Sequence, residues 1–115
     1  MLIGCGGEET EFTFDAATLA QGETVYVQNC ASCHGEYLEG GFANNVPAPS
    51  HLDDGHTWHH SDEWLLNVIR NGGNVGNSMP AYKDVLSEEE MVALLDYIKS
   101  HWSERTLQSQ ARLNQ

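Results

Sequence analysis

Two cysteines three positions apart with a histidine directly behind the second, Cys30-Ala31-Ser32-Cys33-His34, restrict this chain more than any other feature. Thiols at that spacing serve a metal, a redox exchange or a covalent attachment. A structural zinc site needs four cysteine or histidine ligands, usually as two paired clusters. Here there is one pair, and the third cysteine, Cys5, stands alone. A zinc set of Cys30, Cys33, His34 and a distant histidine is awkward, because the adjacent Cys33 and His34 do not easily aim at one ion. A thioredoxin-type pair follows a strand in a βαβ unit, whereas the preceding DAATLAQGETVYVQ reads as a helix. The remaining chemistry for C-x-x-C-H is attachment of one c-type haem, with both thiols added to its vinyl groups and the histidine on iron. Two thioether bonds fix the macrocycle edge to the backbone, so His34 reaches the iron with little ordering left to do.

The sixth iron ligand must come from the methionines or the other histidines. Met1 is terminal, and Met91 lies in a strong helical pattern that reads as core. Met79 sits in NSMPAY, where Pro80 removes a backbone N–H and stiffens the loop. The neighbouring NGGNVGNS is rich in glycine and asparagine and lets backbone approach a flat ring. His34 on one face and Met79 on the other is the expected pairing. The plainer reading of Met79 is a loop methionine packed on the core.

CASCHG, then MPAY, then a helix containing LLDYIKSHW together resemble a class I c-type cytochrome. The resemblance is to the small bacterial mono-haem type related to the cytochrome domains of oxidase complexes, and it covers roughly residues 15–102. It implies an all-α cytochrome c fold, with about three to four helices wrapped around one covalently attached haem. It also implies that the first and last helices cross at Gly22 and Tyr26.

The helices can be read independently of that resemblance. Asp15 can cap a first helix running to about Asn29, with Phe14 and Leu19 as a hydrophobic staple. Gly22 inside it costs about 1 kcal/mol relative to alanine, which calls for a packing reason. A middle helix starts at Ser61, presents Leu65, Val68 and Ile69, and stops at Gly72 and Gly73. In the last helix Ser87 and Glu90 form a capping box and Leu86 and Met91 a staple. Met91, Leu94, Leu95, Ile98 and Trp102 fall on one stripe, with Tyr97 at its margin. Lys99 and His101 suit the negative end of its dipole. No convincing alternating strand appears.

Several loop residues carry two readings. Pro47 and Pro49 follow the haem motif at about the distance where the resemblance implies a proline carbonyl accepting from the proximal histidine. Spacing does not choose between them, and a stiff loop is the plain alternative. Trp58 could donate its indole N–H to a haem propionate, as in some relatives, or simply pack. The stretch HLDDGHTWHH holds His51, His56, His59 and His60 beside two aspartates. A second copper or zinc site is the sharp reading. A polar loop near the propionates is preferred, since an irregular loop fixes no coordination geometry. His59 or His60 is the alternative to Met79 as iron ligand.

Composition bounds the rest. With 115 residues the chain is one domain, and 40% hydrophobic content supports a folded core. Five basic against seventeen acidic residues give a net charge of −12, which disfavours nucleic acid and suits a partner with a basic face. No apolar run is long enough to span a membrane. Leu2-Ile3-Gly4-Cys5 is similar to a bacterial lipoprotein box, and residues 1–14 read as a flexible acidic tether with Cys5 as the lipidation candidate. Only four residues precede Cys5, against the 7–15-residue apolar segment of a signal peptide. Residues 15–102 form the mono-haem domain, and residues 103–115 read as a polar tail that extends the last helix, frays or docks.

The resemblance implies export, with the protein in the periplasm or on the outer face of the cytoplasmic membrane. It implies a non-enzymatic electron carrier, monomeric or a complex subunit, between a quinol-oxidising complex and a terminal oxidase or reaction centre. A fixed subunit of a respiratory or photosynthetic complex is the first alternative, and a gas sensor or peroxidase-like enzyme the second. The intact mass of the matured protein is expected to exceed its polypeptide by one haem, plus acyl chains if Cys5 is lipidated. A mass equal to the bare polypeptide would remove the premise.

Overall fold

The computed structural model describes residues 12–43, 46–73 and 79–115. Cys5 and most of the N-terminal tether lie outside the described residues. The first helix, α1 (Ala16–Asn29), begins where the Asp15 carboxylate accepts from the Thr18 N–H at 3.1 Å. Phe14, just before that cap, is half-buried against the core. A single helical turn, α2 (Ala31–His34), follows directly. The chain then makes a short antiparallel hairpin, β1 (Gly41–Ala43) with β2 (Val46–Ala48), in which Phe42 pairs with Pro47. Strands of three residues are too short to show an alternating pattern, which is why only helices were expected.

An irregular segment from 49 to 61, containing a 3-10 turn at Thr57–His59, leads into α3 (Asp62–Asn71). Ser61 caps α3 by accepting from the Trp64 N–H, and Gly72 ends it at a φ of 87°, a value that glycine adopts without strain. α4 (Glu88–Lys99) carries the full capping box between Ser87 and Glu90. Its stripe is the core: Met91, Leu94, Leu95, Ile98 and, past the helix end, Trp102 are all buried. Leu86 is buried beside them, as a staple to Met91 requires.

α1 and α4 cross at Gly22. A Cβ there would collide with the Ala93 carbonyl oxygen and come within 2.7 Å of the Tyr97 Cβ. Tyr26, one turn later, is fully buried with its ring 5.7 Å from that of Tyr97. The glycine that weakens α1 as an isolated helix is thus what lets two backbones touch.

The C-terminal tail departs from the expectation of a frayed or continuing helix. The chain breaks at residues 100–102 and starts a separate helix, α5 (Glu104–Ala111), capped by Ser103 and followed by a 3-10 turn at Arg112–Asn114. Thr106, Leu107 and Gln110 form its buried side. Two of those three are polar, so hydropathy does not reveal the stripe.

Helix propensity alone makes Gly22→Ala stabilising by about 1 kcal/mol. The contact with Ala93 reverses the sign, and a net loss of about 1–3 kcal/mol is expected from overpacking. Denaturant midpoints of the matured protein would measure it. A gain in stability would show that the helices can part at no cost.

Candidate functional site

Cys33 and His34 are carried on α2, a turn wedged between the end of α1 and strand β1, and Cys30 is the residue that joins α1 to it. The Cys33 and His34 N–H groups both donate to the Cys30 carbonyl, at 3.1 and 2.9 Å, so the two thiols lie three apart on one side of the turn. Tyr26 Oη donates to the Gly35 carbonyl at 2.6 Å, and the Gly40 N–H donates to the His34 carbonyl at 2.6 Å. Gly41 lets β1 lie against α2, since a Cβ there would sit 2.7 Å from the Cys33 carbonyl oxygen. The motif is therefore fixed by backbone on three sides. Both thiols are free and half-buried.

Their side chains open into a cleft of about 300 Å³, at the lower end of small-molecule and cofactor sites. Its walls are mostly apolar, with Ala48, Pro49, Leu65, Val68 and Pro80 among the lining residues. No lysine, arginine, aspartate or glutamate lines it among the described residues. Met79 reaches the same cleft from the segment after α3. That segment is tied to the end of α3 by three backbone bonds: Gly73 N–H to Met79 O, Tyr82 N–H to Ile69 O and Lys83 N–H to Arg70 O, at 3.0–3.2 Å. Gly72 makes this possible, because a Cβ there would lie 2.9 Å from the Met79 carbonyl oxygen. Tyr82, which also lines the cleft, donates its hydroxyl to the Asn29 carbonyl at 2.9 Å. Residues 74–78, part of the glycine- and asparagine-rich loop, lie outside the described residues.

The electrostatics separate the readings of the cysteine pair. Burial, with a smaller push from Cys33, raises the Cys30 thiol to about 12. A redox-exchange or preformed metal cysteine needs the opposite, a stabilised thiolate. His34 Nδ1 lies 2.9 Å from the Pro49 carbonyl, which can only accept, so Nδ1 carries the proton and Nε2 keeps a lone pair. Burial holds this imidazole below its ordinary range, and the Pro49 bond partly offsets that. Neutral imidazole with a free Nε2 is the state that binds iron or zinc. A thiol pair and a ligand-ready imidazole in an apolar cleft suit a covalently attached flat macrocycle.

Of the two candidate prolines, Pro49 reaches His34, while Pro47 lines the cleft from β2. The expectation for Trp58 is corrected. The 3-10 turn aims its indole back at its own loop, where Nε1 donates to the Asp53 carbonyl at 2.9 Å, and the residue is not among those lining the cleft. Trp64, on the first turn of α3, lines it instead, stacked on His60 with ring centroids 3.7 Å apart. The four loop histidines do not converge on a second metal. No such group of three or more ligands occurs among the described residues. His51 packs on His34 with centroids 4.2 Å apart, and His56 packs on His59 at 4.9 Å. His51, His60 and Trp64 are cleft residues that sequence reasoning did not assign to that wall. The four-residue step from His60 to Trp64 to Val68 was the available signal.

Residues 17–98 match the family model described as cytochrome c oxidase, cbb3-type, subunit III. The chain is 34% identical over 86 residues to the cbb3-type cytochrome c oxidase subunit CcoP of Azospirillum brasilense, an alignment covering 73% of this chain and 28% of that one. It is 35% identical over 81 residues to cytochrome c6 of Euglena gracilis, covering 67% and 85% respectively. The chain thus spans about a quarter of CcoP but most of the cytochrome c6. Among solved structures, cytochrome cL of Methylophaga aminisulfidivorans superposes with a TM-score of 0.66 at 20% identity, covering 92% of this chain and 77% of that one, a likeness of fold.

The cleft carries an acid-side signature. Burial and the neighbouring His34 push the His51 imidazole down to about 3 from an ordinary 6.5. Above pH 6.5 the folded and unfolded chains both leave it neutral. As pH falls from 6.5 towards 3, the unfolded chain takes up the proton and the folded chain does not, so stability drops by roughly 1 kcal/mol per pH unit from this group. His51→Gln is expected to flatten that decline in denaturation midpoints of the matured protein. An unchanged slope would show that His51 does not carry it.

Proposed function

The chain belongs to the c-type cytochrome family matched by the cbb3-type oxidase subunit III model, and on that premise we propose that it is a mono-haem electron carrier working outside the cytoplasm. One observation carries this reading: Cys30, Cys33 and His34 on a single helical turn open into an apolar cleft that Met79 also enters. When bound, the haem supplies a one-electron Fe(III)/Fe(II) couple.

The chain's own residues have distinct tasks. Cys30 and Cys33 would hold the macrocycle through thioethers, and α2 would deliver His34 Nε2 to iron. The Pro49 carbonyl, accepting from Nδ1, makes that imidazole a stronger donor. Met79 would take the sixth position, and Trp64, Leu65 and Val68 would exclude water from one side. A thioether ligand favours the ferrous state relative to a second histidine, which suits delivery to a terminal oxidase or reaction centre from a quinol-oxidising complex. Held by both His34 and Met79, the iron would offer a substrate no open position, and electron transfer is the chemistry the group would supply.

The charge of −12 suits a basic docking face on the partner and an encounter rate that falls with salt. No helix among the described residues is long and apolar enough to cross a membrane. Lipidation of Cys5 would place the domain at the outer face of the membrane. A second reading, a fixed subunit of an oxidase complex, is favoured by the similarity to CcoP. Co-purification as a stable complex would select it. A gas sensor or peroxidase-like role would require a vacant or labile sixth position.

The oxidised protein is expected to show the weak far-red band of methionine sulfur on haem iron, and Met79→Ala to abolish it. The reduced protein should take up carbon monoxide at neutral pH only after that substitution. Ready uptake by the unaltered protein would sink the carrier reading.

A further inference from the structure

The segment from Pro49 to Ser61, which enters α3 at Asp62, supplies the Pro49 carbonyl that His34 leans on, yet it contains a single 3-10 turn and no other regular structure. Its internal bonds are local, such as Gly55 N–H to Leu52 O and Trp58 Nε1 to Asp53 O. One backbone bond ties its start elsewhere, from the His51 N–H to the Leu38 carbonyl at 2.8 Å, and a loop held so sparsely opens easily. Here its outer side is tied down at four places by residues past the end of α4. Trp102 Nε1 donates to the His51 carbonyl at 2.6 Å, and the Ser103 N–H donates to the Asp53 carboxylate at 3.1 Å. Gln110 Nε2 donates to the His60 carbonyl at 3.1 Å and to Asp62 Oδ1 at 2.7 Å. Asn114 Oδ1 accepts from the Asp62 N–H at 2.7 Å, and its Nδ2 donates to Gln110 Oε1 at 3.2 Å.

Gln110 is the centre of this set. It is 1% exposed, and its amide is engaged through both nitrogen and oxygen. A buried polar side chain is retained at a cost unless it is fully bonded, so its value lies in what it holds. It holds the loop where the histidine wall of the cleft joins α3. Trp102 and Ser103 hold the same loop close to Pro49.

We propose that Gln110 is a positioning residue of the haem site: with Trp102, Ser103 and Asn114 it clasps the 49–61 loop and so keeps the Pro49 carbonyl on His34. This rests on the reading of His34 as an iron ligand. Loosening the clasp lets the Pro49 bond break more often. The His34 proton then exchanges faster, the imidazole donates less to iron, and the equilibrium moves towards Fe(II).

The test compares four matured proteins: unaltered, Gln110→Leu, Asn114→Ala and Arg70→Gln. Arg70→Gln removes the Arg70–Glu88 ion pair, which ties α3 to α4 away from the loop, and controls for lost stability. The readouts are solvent exchange of the His34 Nδ1 proton by NMR and the midpoint potential. Gln110→Leu is expected to speed exchange about tenfold and to raise the potential, and Asn114→Ala to do both to a smaller extent. Arg70→Gln should lower the denaturation midpoint and leave both readouts in place. If Gln110→Leu does not mature, Asn114→Ala carries the comparison alone. Unchanged exchange and potential in the clasp variants, or equal shifts in Arg70→Gln, overturn the proposal. A colourless unaltered protein, seen before any variant is made, overturns the haem reading beneath it.

Discussion

The rest of the molecule hangs on the contact between α1 and α4 at Gly22. Because the α1 backbone rests directly on Ala93, Tyr26 arrives one turn later at the one depth where it packs on Tyr97 and still reaches Gly35. That hydroxyl bond fixes the far side of α2, and the close of α1 at Asn29 fixes the near side. The position of the cysteine–histidine turn is therefore inherited from a helix crossing that contains none of its residues. A larger residue at 22 would not touch the cleft, yet it would tilt the platform beneath it.

What could be read from sequence was what is decided locally. Asp15, Ser61 and Ser87 each cap the helix expected of them, because a cap depends on a side chain and a backbone N–H within one turn. The haem motif and the α4 stripe are equally short-range. What escaped depends on contacts between distant segments. Trp58 and Trp64 lie six positions apart, and only the direction of the 3-10 turn decides which of them faces the cleft. Pro47 and Pro49 were indistinguishable for the same reason, since the two-residue step between them becomes a difference in reach only once β2 is laid beside β1. α5 was hidden by its composition: its most buried residue is a glutamine.

Charge is arranged to leave the cleft out of it. Of five basic residues, Arg70 and Lys99 sit in ion pairs, with Glu88 and Asp62 respectively. The first pair joins the end of α3 to the start of α4, and the second joins the start of α3 to the end of α4. Arg70–Glu88 is bidentate but exposed, so water and salt screen it. Lys99–Asp62 is better shielded and shares its carboxylate with Gln110. The two pairs thus join α3 and α4 in antiparallel order, outside the lining of the cleft. Among the described residues no acid lines the cleft, so the large surplus of negative charge lies elsewhere than on its walls.

Chain order gives the cleft a temporal meaning. The thiols sit at positions 30 and 33, whereas the cleft walls that face them come from later in the chain, up to Met79, Pro80 and Tyr82. A chain made from its N-terminus therefore presents its sulfurs before the walls that will face them exist. Haem added at that stage would be enclosed only as residues 46–82 fold around it.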